Sequence, residues 1–335
     1  MSYTILASVL VPIWRVLERN RIDPEALFRS CDIDPDLLRD PDARYRIEKN
    51  DAMWAAVLEA TGDRTVVFKI VEQLHPSTLH ALGYGWLSSD TLNEAFDRFQ
   101  RFFAVVSSID GIHIEREDGE LRIWGEGLPE GQRLKHGFLG HEYFAVVLTE
   151  MVRWLAGYSM SPLRVMFEHP APVDCSRYFE YFRCPVEFSQ PGNRLIFDLE
   201  GMDQPLPTGN ARLSDQHDAI AGDYLDRLGM SSISDRVRRW LSTHLPGGNV
   251  SQESAAQAMH LSARSLQRRL SDESQTWSEL LEDTRRKLAQ TYLASDPNLT
   301  TGEVAWLVGF TEPANFARAF KRWTGMTPTE YRQSA

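Results

Sequence analysis

Two short stretches near the end of the chain hold side chains suited to bonding flat, polar edges. In VGFTEPANFARAFKRWTGMTPTEYR, residues 308–332, Asn315, Arg318, Lys321 and Arg322 are interleaved with Phe316, Phe320 and Trp323. In AAQAMHLSARSLQRRL, residues 255–270, Arg264, Ser265, Gln267 and Arg268 are interleaved with Leu266 and Leu270. At helical spacing Phe316, Phe320 and Trp323 fall on one side, while Ala314, Asn315, Arg318 and Arg322 fall on the other. Such an arc suits the major groove of DNA. Small residues let the helix backbone approach, Asn and Gln can bond an adenine edge, and Arg can bond a guanine edge bidentately. One such contact discriminates by ~1–3 kcal/mol, so a handful across two helices suffices for a specific site.

A basic arc on one exposed helix is ordinarily a solvated face; the repetition argues for more. Leu266, Arg268 and Leu270 lie 50 positions before Phe316, Arg318 and Phe320. Each unit reads as a helix, a sharp turn, a cap and a second helix, the order of a helix-turn-helix. In the second unit Thr300 and Glu303 form a capping box, and Val304, Leu307 and Val308 line the inner face of the helix that follows. Gly309 permits a left-handed turn, Thr311 or Glu312 caps the next helix, and Pro313 sits in its first turn. Between the units, Thr276 and Glu279 open a helix over 278–294. Seventeen residues make a rod of ~25 Å. A strut of that length can hold two recognition helices near the ~34 Å repeat of the groove. A last box, Thr327-Pro328-Thr329-Glu330, starts the closing helix.

Upstream the pattern changes. Asp23-Pro24-Glu25 and Asp34-Pro35-Asp36 each write a helix start, with an acid at the N-cap and proline at the first position. The first hundred residues read as mainly helical. IHIERE and ELRIW flank Asp118-Gly119, the pattern of a type I′ hairpin. A long helix is expected from Leu134 to Leu155. LRVMFEH (163–169), PVEFS and RLIFDL read as further strands, the last two joined at Gln190-Pro191-Gly192-Asn193. After an irregular run at 201–215, a helix from Gln216 to Leu228 leads to a boundary near 229–233. The expected fold is an α+β N-terminal domain followed by an all-α domain of two helix-turn-helix subdomains joined by a helix.

Formal net charge is -11 over 335 residues, unevenly spread. Residues 232–335 carry 13 Lys+Arg against 11 Asp+Glu, leaving 23 against 36 for residues 1–231. An acidic body discourages non-specific contact with nucleic acid, while a locally basic end still binds it where its charges converge. Cys31, Cys175 and Cys184 make neither an even set nor a CxxC pair, which argues against a disulfide framework or a cysteine zinc site and for a reducing cytoplasm. The run TILASVLVPIW lacks a basic segment before it and a cleavage pattern after it, so it reads as the apolar face of a first helix. No segment has the ~18–20 apolar residues of a membrane span.

At this point a family resemblance is plain. Residues 233–332 resemble the DNA-binding domain of AraC/XylS transcriptional regulators, with GFTEPANFARAFKRWTGMTPTEYR matching the closing signature of that family. The resemblance implies base contacts from Arg264, Ser265, Gln267 and Arg268, and from Pro313, Ala314, Asn315 and Arg318. It implies phosphate contacts from Ser251, Ser262, Arg269, Thr301, Thr311, Lys321 and Arg322. Pro313 and Ala314 donate no side-chain hydrogen bond, so the second helix is expected to rely more on shape and phosphate. His260 stands where the family often has Gly, in a backbone that His tolerates with strain. HPSTLHALGYGWLSSDTLNEAFDRFQRFF (75–103) and residues 167–207 resemble the arabinose-binding-type regulatory domain of one branch, which implies a ligand-sensing or dimerising role and says nothing of arabinose itself. The expected organisation is a regulatory domain at 1–210, a linker helix at 211–232, and a DNA-binding domain at 233–333 with helix-turn-helix units at 252–273 and 299–322. The expected partners are double-stranded DNA, a small-molecule effector, RNA polymerase and a second copy of the chain. No cofactor is expected.

Other chemistry is weaker. His136 and His141-Glu142 do not have the HExxH spacing of a zinc helix, and residues five apart do not share a face. Gly157-Tyr158-Ser159-Met160-Ser161 lacks the second glycine of a nucleophile elbow and reads as a helix C-cap. Tyr84, Trp86, Phe103, Trp124, Tyr143 and Trp154 are the candidates for lining an apolar effector pocket, the alternative being plain core. Val146, Val147 and Trp154 are candidates for a dimer face. The competing functional class is an enzyme fused to a DNA-binding domain, of the alkyl-transfer repair type, which requires a reactive cysteine.

Overall fold

Asp118 and Gly119 both take left-handed backbone, with φ of 54° and 79°, and the strands on either side pair from Ile112↔Gly125 to Glu117↔Glu120. Positive φ at both central residues is what a type I′ hairpin requires. The hairpin belongs to the first of two compact units, Met1–Leu225 and Asp226–Ala335. The computed structural model describes residues 3–109, 111–125, 136–248, 250–295 and 298–334.

In chain order the first unit holds β1 (Thr4–Leu6), α1 (Val11–Arg19), α2 (Pro24–Ser30), β2 (Arg44–Arg46), α3 (Glu48–Thr61), α4 (Val66–Val71), α5 (His80–Leu87) and α6 (Leu92–Phe102). There follow β3 (Ile112–Glu117), β4 (Glu120–Gly125), α7 (Gly137–Ala156), β5 (Arg164–Met166), α8 (Ser176–Phe182), β6 (Val186–Glu187) and β7 (Arg194–Asp198). The helix α9 (Ala211–Arg227) spans the division. β1 and β2 form a small antiparallel pair. The main sheet runs β3-β4-β7-β5-β6, antiparallel except for β5 with β6. Its inner residues Leu121, Ile123, Val165, Leu195 and Phe197 are buried. Phe96 of α6 meets Phe197 at 5.8 Å, and Trp86 of α5 packs on Phe96 at 5.2 Å.

Several local expectations need correcting. PVEFS and RLIFDL are both extended but do not pair with each other, because β5 lies between them. The segment TILASVLVPIW gives a strand and a 3-10 turn before α1 begins. Asp23 caps α2 by accepting from Glu25 N and Ala26 N, whereas Asp34-Pro35 starts a 3-10 turn, Pro35–Arg39. α9 begins five residues before Gln216, its start drawn back by Asn210 Oδ1, which accepts from Leu213 N at 3.1 Å. α7 begins at Gly137; Leu134, its expected start, lies outside the described residues.

The second unit is helical: α10 (Ile233–His244), α11 (Gln252–Ala258), α12 (Ala263–Asp272), α13 (Trp277–Ser295), α14 (Thr301–Leu307), α15 (Pro313–Thr324) and α16 (Pro328–Ser334). It has two apolar cores. One gathers Val237, Leu241, Ala255, Leu266, Leu270 and Leu280; the other gathers Ala289, Leu293, Val304, Phe316 and Phe320. α13 supplies residues to both, and Leu288 packs against each.

Candidate nucleic-acid interface

The two helix-turn-helix turns close in the same way. Leu261 N donates to Ala256 O at 2.8 Å and His260 N to Gln257 O at 3.0 Å. In the second unit Phe310 N donates to Ala305 O and Gly309 N to Trp306 O, both at 2.9 Å. His260 and Gly309 are left-handed, with φ of 57° and 78°. This is the closure of a Schellman-type helix end, which satisfies carbonyls that would otherwise be orphaned. Ser251 and Thr300 begin the preceding helices, each within a capping box.

These turn and cap positions lie 49 residues apart, but the buried recognition pairs Leu266/Phe316 and Leu270/Phe320 lie 50 apart. The second unit therefore has one extra residue between turn and helix. The consequence appears at the cap: Ser262 Oγ accepts from Ser265 N at 3.1 Å, whereas Glu312 holds the N-cap position of α15 without bonding the helix backbone through its side chain. Thr311, the other cap candidate, stays outside the helix and exposed.

On α12, Leu266 and Leu270 are buried, Arg264, Gln267, Arg268 and Arg269 are exposed, and Ser265 is half-buried with its Oγ accepting from Ser262 Oγ at 2.9 Å. On α15, Phe316, Ala319 and Phe320 are buried, while Pro313, Ala314, Asn315 and Arg318 are exposed. Arg318 Nη2 donates to Asn315 Oδ1 at 2.6 Å, and Asn315 Nδ2 donates to Glu312 Oε2 at 3.3 Å. The two side chains of this helix expected to bond bases are therefore linked to each other. Ser251, Ser262, Arg269, Thr311 and Lys321 are exposed, but Thr301 is half-buried as the first residue of α14. Its neighbour Thr300 is the true counterpart of Ser251. Arg322 is held by Glu282 of α13, whose Oε1 also accepts from Trp323 Nε1. Those hydrogen bonds, from Trp323 and Arg322, hold the Glu282 carboxyl below the usual carboxylate range.

Two supporting residues escaped the sequence reading. Arg285 of α13 donates from Nε to Val308 O at 3.1 Å and from Nη2 to Gly309 O at 3.0 Å, with its guanidinium 4.7 Å from the Phe310 ring centroid. It satisfies the end of α14 at the turn itself. Glu273, just after α12, accepts from Ile233 N at 2.7 Å and Ser234 N at 2.9 Å, and so caps α10. A lone Arg in a linker helix and a Glu after a helix carry no sequence signal of what they will reach.

In the first unit the six aromatic candidates do not come together. Trp86 is fully buried core and donates from Nε1 to Met151 O at 2.8 Å. Tyr84 stacks on His217 of α9 at 5.4 Å, Trp124 on His113 at 5.3 Å, and Tyr143 packs on Trp54 at 5.6 Å. Phe103 packs on Phe99 and Phe144; Trp154 is half-buried. Aromatic spacing here reports packing between helices and, for Trp124, between paired strands. Val146 is likewise fully buried and so unavailable to a partner, unlike the half-buried Val147.

The His141-Glu142 pair resolves differently. Glu142 is fully buried and accepts from Arg64 Nη1 and Nη2, each at 2.7 Å, and from Tyr178 Oη at 2.8 Å, with His169 Nε2 2.9 Å away. These partners occupy the carboxylate as a structural ion pair. Gly157 has φ of 86° and accepts the C-cap role after α7. Cys31 is buried, and burial pushes the Cys184 thiol up to about 11, away from the reactive thiolate that alkyl transfer needs. No described helix is long and apolar enough to cross a membrane.

Comparison with known proteins agrees with this geometry. A family model described as the arabinose-binding domain of AraC transcription regulator, N-terminal, matches residues 22–206. One described as a helix-turn-helix domain matches residues 255–334. The chain is similar to the ornithine utilization regulator of Pseudomonas aeruginosa, 29% identical over 315 residues covering 93% of this chain and 91% of that protein. It is also similar to the HTH-type transcriptional regulator VirS of Mycobacterium tuberculosis, 30% identical over 196 residues, 58% of this chain and 56% of that one. Among solved structures it shares a fold with the transcriptional regulator CdpR of Pseudomonas aeruginosa, with TM-score 0.53 and 22% identity over 97% of this chain and 98% of that one. Since the arabinose-binding-type match alone spans more than half of its length, the chain belongs to the AraC family: it is a DNA-binding transcription regulator, not an enzyme, with an effector-binding domain ahead of its helix-turn-helix domain.

Proposed function

We propose that the chain acts as a cytoplasmic homodimer whose paired recognition helices, α12 and α15, read an operator through Arg264, Ser265, Gln267 and Arg268, and through Asn315 and Arg318. Ala314 and Pro313 allow close approach of backbone without bonding bases. The observation that carries this reading is the matched pair of left-handed turns at His260 and Gly309, each followed by a helix with a buried apolar pair and an exposed polar arc. Ser251, Ser262, Arg269, Thr311 and Lys321 are assigned to phosphate. Thr301 and Arg322 are kept in that set with a reduced role, Thr301 for its burial and Arg322 for its bond to Glu282. The working division is a sensing and dimerising domain at 1–210, a linker at 211–232, and a reading domain at 233–333.

A two-fold dimer would present one reading pair to each half of a palindromic site. Effector binding in the first domain shifts the DNA-binding equilibrium by its difference in affinity for the two states, and RNA polymerase is the downstream partner. The name of the P. aeruginosa relative favours an amino-acid-related metabolite as effector. The test is genome-wide mapping of bound sites followed by anisotropy titration of a mapped duplex with and without L-ornithine. A shift in midpoint supports effector control; identical curves with the neighbouring genes' metabolites contradict it.

A further inference from the structure

A cleft of about 520 Å³ opens in the first unit beside the end of α2, the loop after it, β2 and the start of α3. That volume lies within the ~300–1,000 Å³ range of small-molecule sites. Its apolar floor includes Ile33 and Tyr45, both buried, and Leu37. Its wall is cationic, with Arg29, Arg44, Arg46 and Lys49 against Asp32 and Asp34.

The pairing of these charges leaves an excess. Lys49 Nζ is 2.8 Å from Asp32 Oδ2, and Arg29 is 2.9 Å from Glu25 and 3.9 Å from Asp34. Among the described residues the Arg44 guanidinium has only neutral acceptors: Thr4 Oγ1 at 2.8 Å, Thr4 O at 3.1 Å, Val105 O at 2.6 Å and Tyr224 Oη at 3.3 Å. Arg46 is exposed, and among the described residues its side chain has no hydrogen bond or ion pair. An uncompensated guanidinium lining the same cleft as Ile33, Leu37 and Tyr45 stands out where residues 1–231 carry 36 acids against 23 bases. Guanidinium groups present two parallel donors that match a carboxylate.

We propose that this cleft binds a small aliphatic carboxylate, its carboxylate on Arg46 and its chain against Ile33, Leu37 and Tyr45. The proposal rests on the first unit being an effector-binding domain, and gives the effector a place and a chemical class. Asp34, with its nearest cation at 3.9 Å, leaves room for an ammonium group, so amino acids belong to the class.

Isothermal titration of the full chain with L-ornithine, hexanoate and glutarate tests this, with putrescine, hexanamide and glutaramide as their respective partners lacking the carboxylate. At least one carboxylate should bind saturably, and its counterpart at least about tenfold more weakly, a difference of ~1.4 kcal/mol. Arg46→Glu should weaken that carboxylate by at least about tenfold, with Arg46→Lys intermediate. No binding by any of the three carboxylates, or equal binding to wild type and Arg46→Glu, overturns the proposal. The effector reading fails separately: an operator response to metabolite that survives in Arg46→Glu removes only the cleft assignment, whereas absence of any metabolite response in wild type removes effector control.

Discussion

Arg285 reaches from the linker helix to the turn of the second helix-turn-helix, its Nη2 donating to the carbonyl of Gly309 at 3.0 Å. Gly309 in turn has no space to spare: a Cβ there would lie 3.0 Å from Leu245 Cδ2 and 3.4 Å from Arg285 Nη2, in a backbone with φ of 78°. The turn is thus fixed from the first subdomain and from the linker together. Arg285→Ala should cost about 2 kcal/mol in stability, since two hydrogen bonds from a charged donor are lost. It should also lower operator affinity without touching DNA, with Arg285→Lys keeping part of both. Urea unfolding and anisotropy on the same preparations measure the two effects; unchanged midpoints in both would remove Arg285 from this role.

Arg318 Nη2 donates to Asn315 Oδ1, so under the proposed reading their contributions to base contact should be interdependent. Arg318→Ala and Arg268→Ala should each relax base preference at one position by about 1–3 kcal/mol, whereas Lys321→Ala should weaken all sequences alike. Asn315→Ala combined with Arg318→Ala should depart from additivity by at least about 0.5 kcal/mol, while Arg268→Ala and Arg318→Ala should add. A binding matrix over base-substituted duplexes reads all of these. Uniform losses for every variant would contradict the division into base and phosphate contacts.

Glu282 restrains Arg322, so Glu282→Gln should free a cation for phosphate. The expected result is tighter DNA binding at low salt and a log–log salt slope steeper by about one. A slope identical to wild type would mean that Arg322 faces away from the duplex.

Glu142 gives the first unit a defined acid sensitivity. Burial pushes its carboxyl up, but Arg64, His169 and Tyr178 more than reverse this and hold it below the ordinary value of 4.5. Because the native state then binds fewer protons than the unfolded one, its stabilisation is full above pH 4.5 and is lost as pH falls through the lowered native value. Glu142→Gln should destabilise by about 3 kcal/mol at pH 7, at the low end for breaking a buried pair because Arg64 is partly exposed. The gap from wild type should narrow below about pH 4.5. A gap independent of pH would show that packing, and not charge, carries the effect.

Local, cooperative features were legible in the sequence, while long-range partnerships were not. The Asp118-Gly119 hairpin, the capping boxes at Thr276, Thr300 and Thr327, and the left-handed turns at His260 and Gly309 are each specified by neighbours within a few residues. The recognition arcs followed because helical period alone separates Phe316 and Phe320 from Asn315 and Arg318. The order of β5, β6 and β7 was hidden, since strand pairing across a crossover leaves no local mark. The dispersal of the six aromatic candidates was hidden for a related reason. Aromatic residues pack helices and strands together whether or not a ligand is near, and the lack of a partner for Arg46 among the described residues shows only once its neighbours' partners are known. The extra residue Thr311 is a local feature, but its effect on the cap depends on how the turn meets the following helix.

The central claim, that two recognition helices read one DNA site in sequence-specific fashion, is tested most directly by equilibrium binding to a mapped operator and to a scrambled duplex across a salt series. The account predicts that affinity falls steeply with salt on both duplexes, and that the operator is preferred by at least ~10³-fold throughout. Equal affinity for the two duplexes, or affinity indifferent to salt, would contradict it.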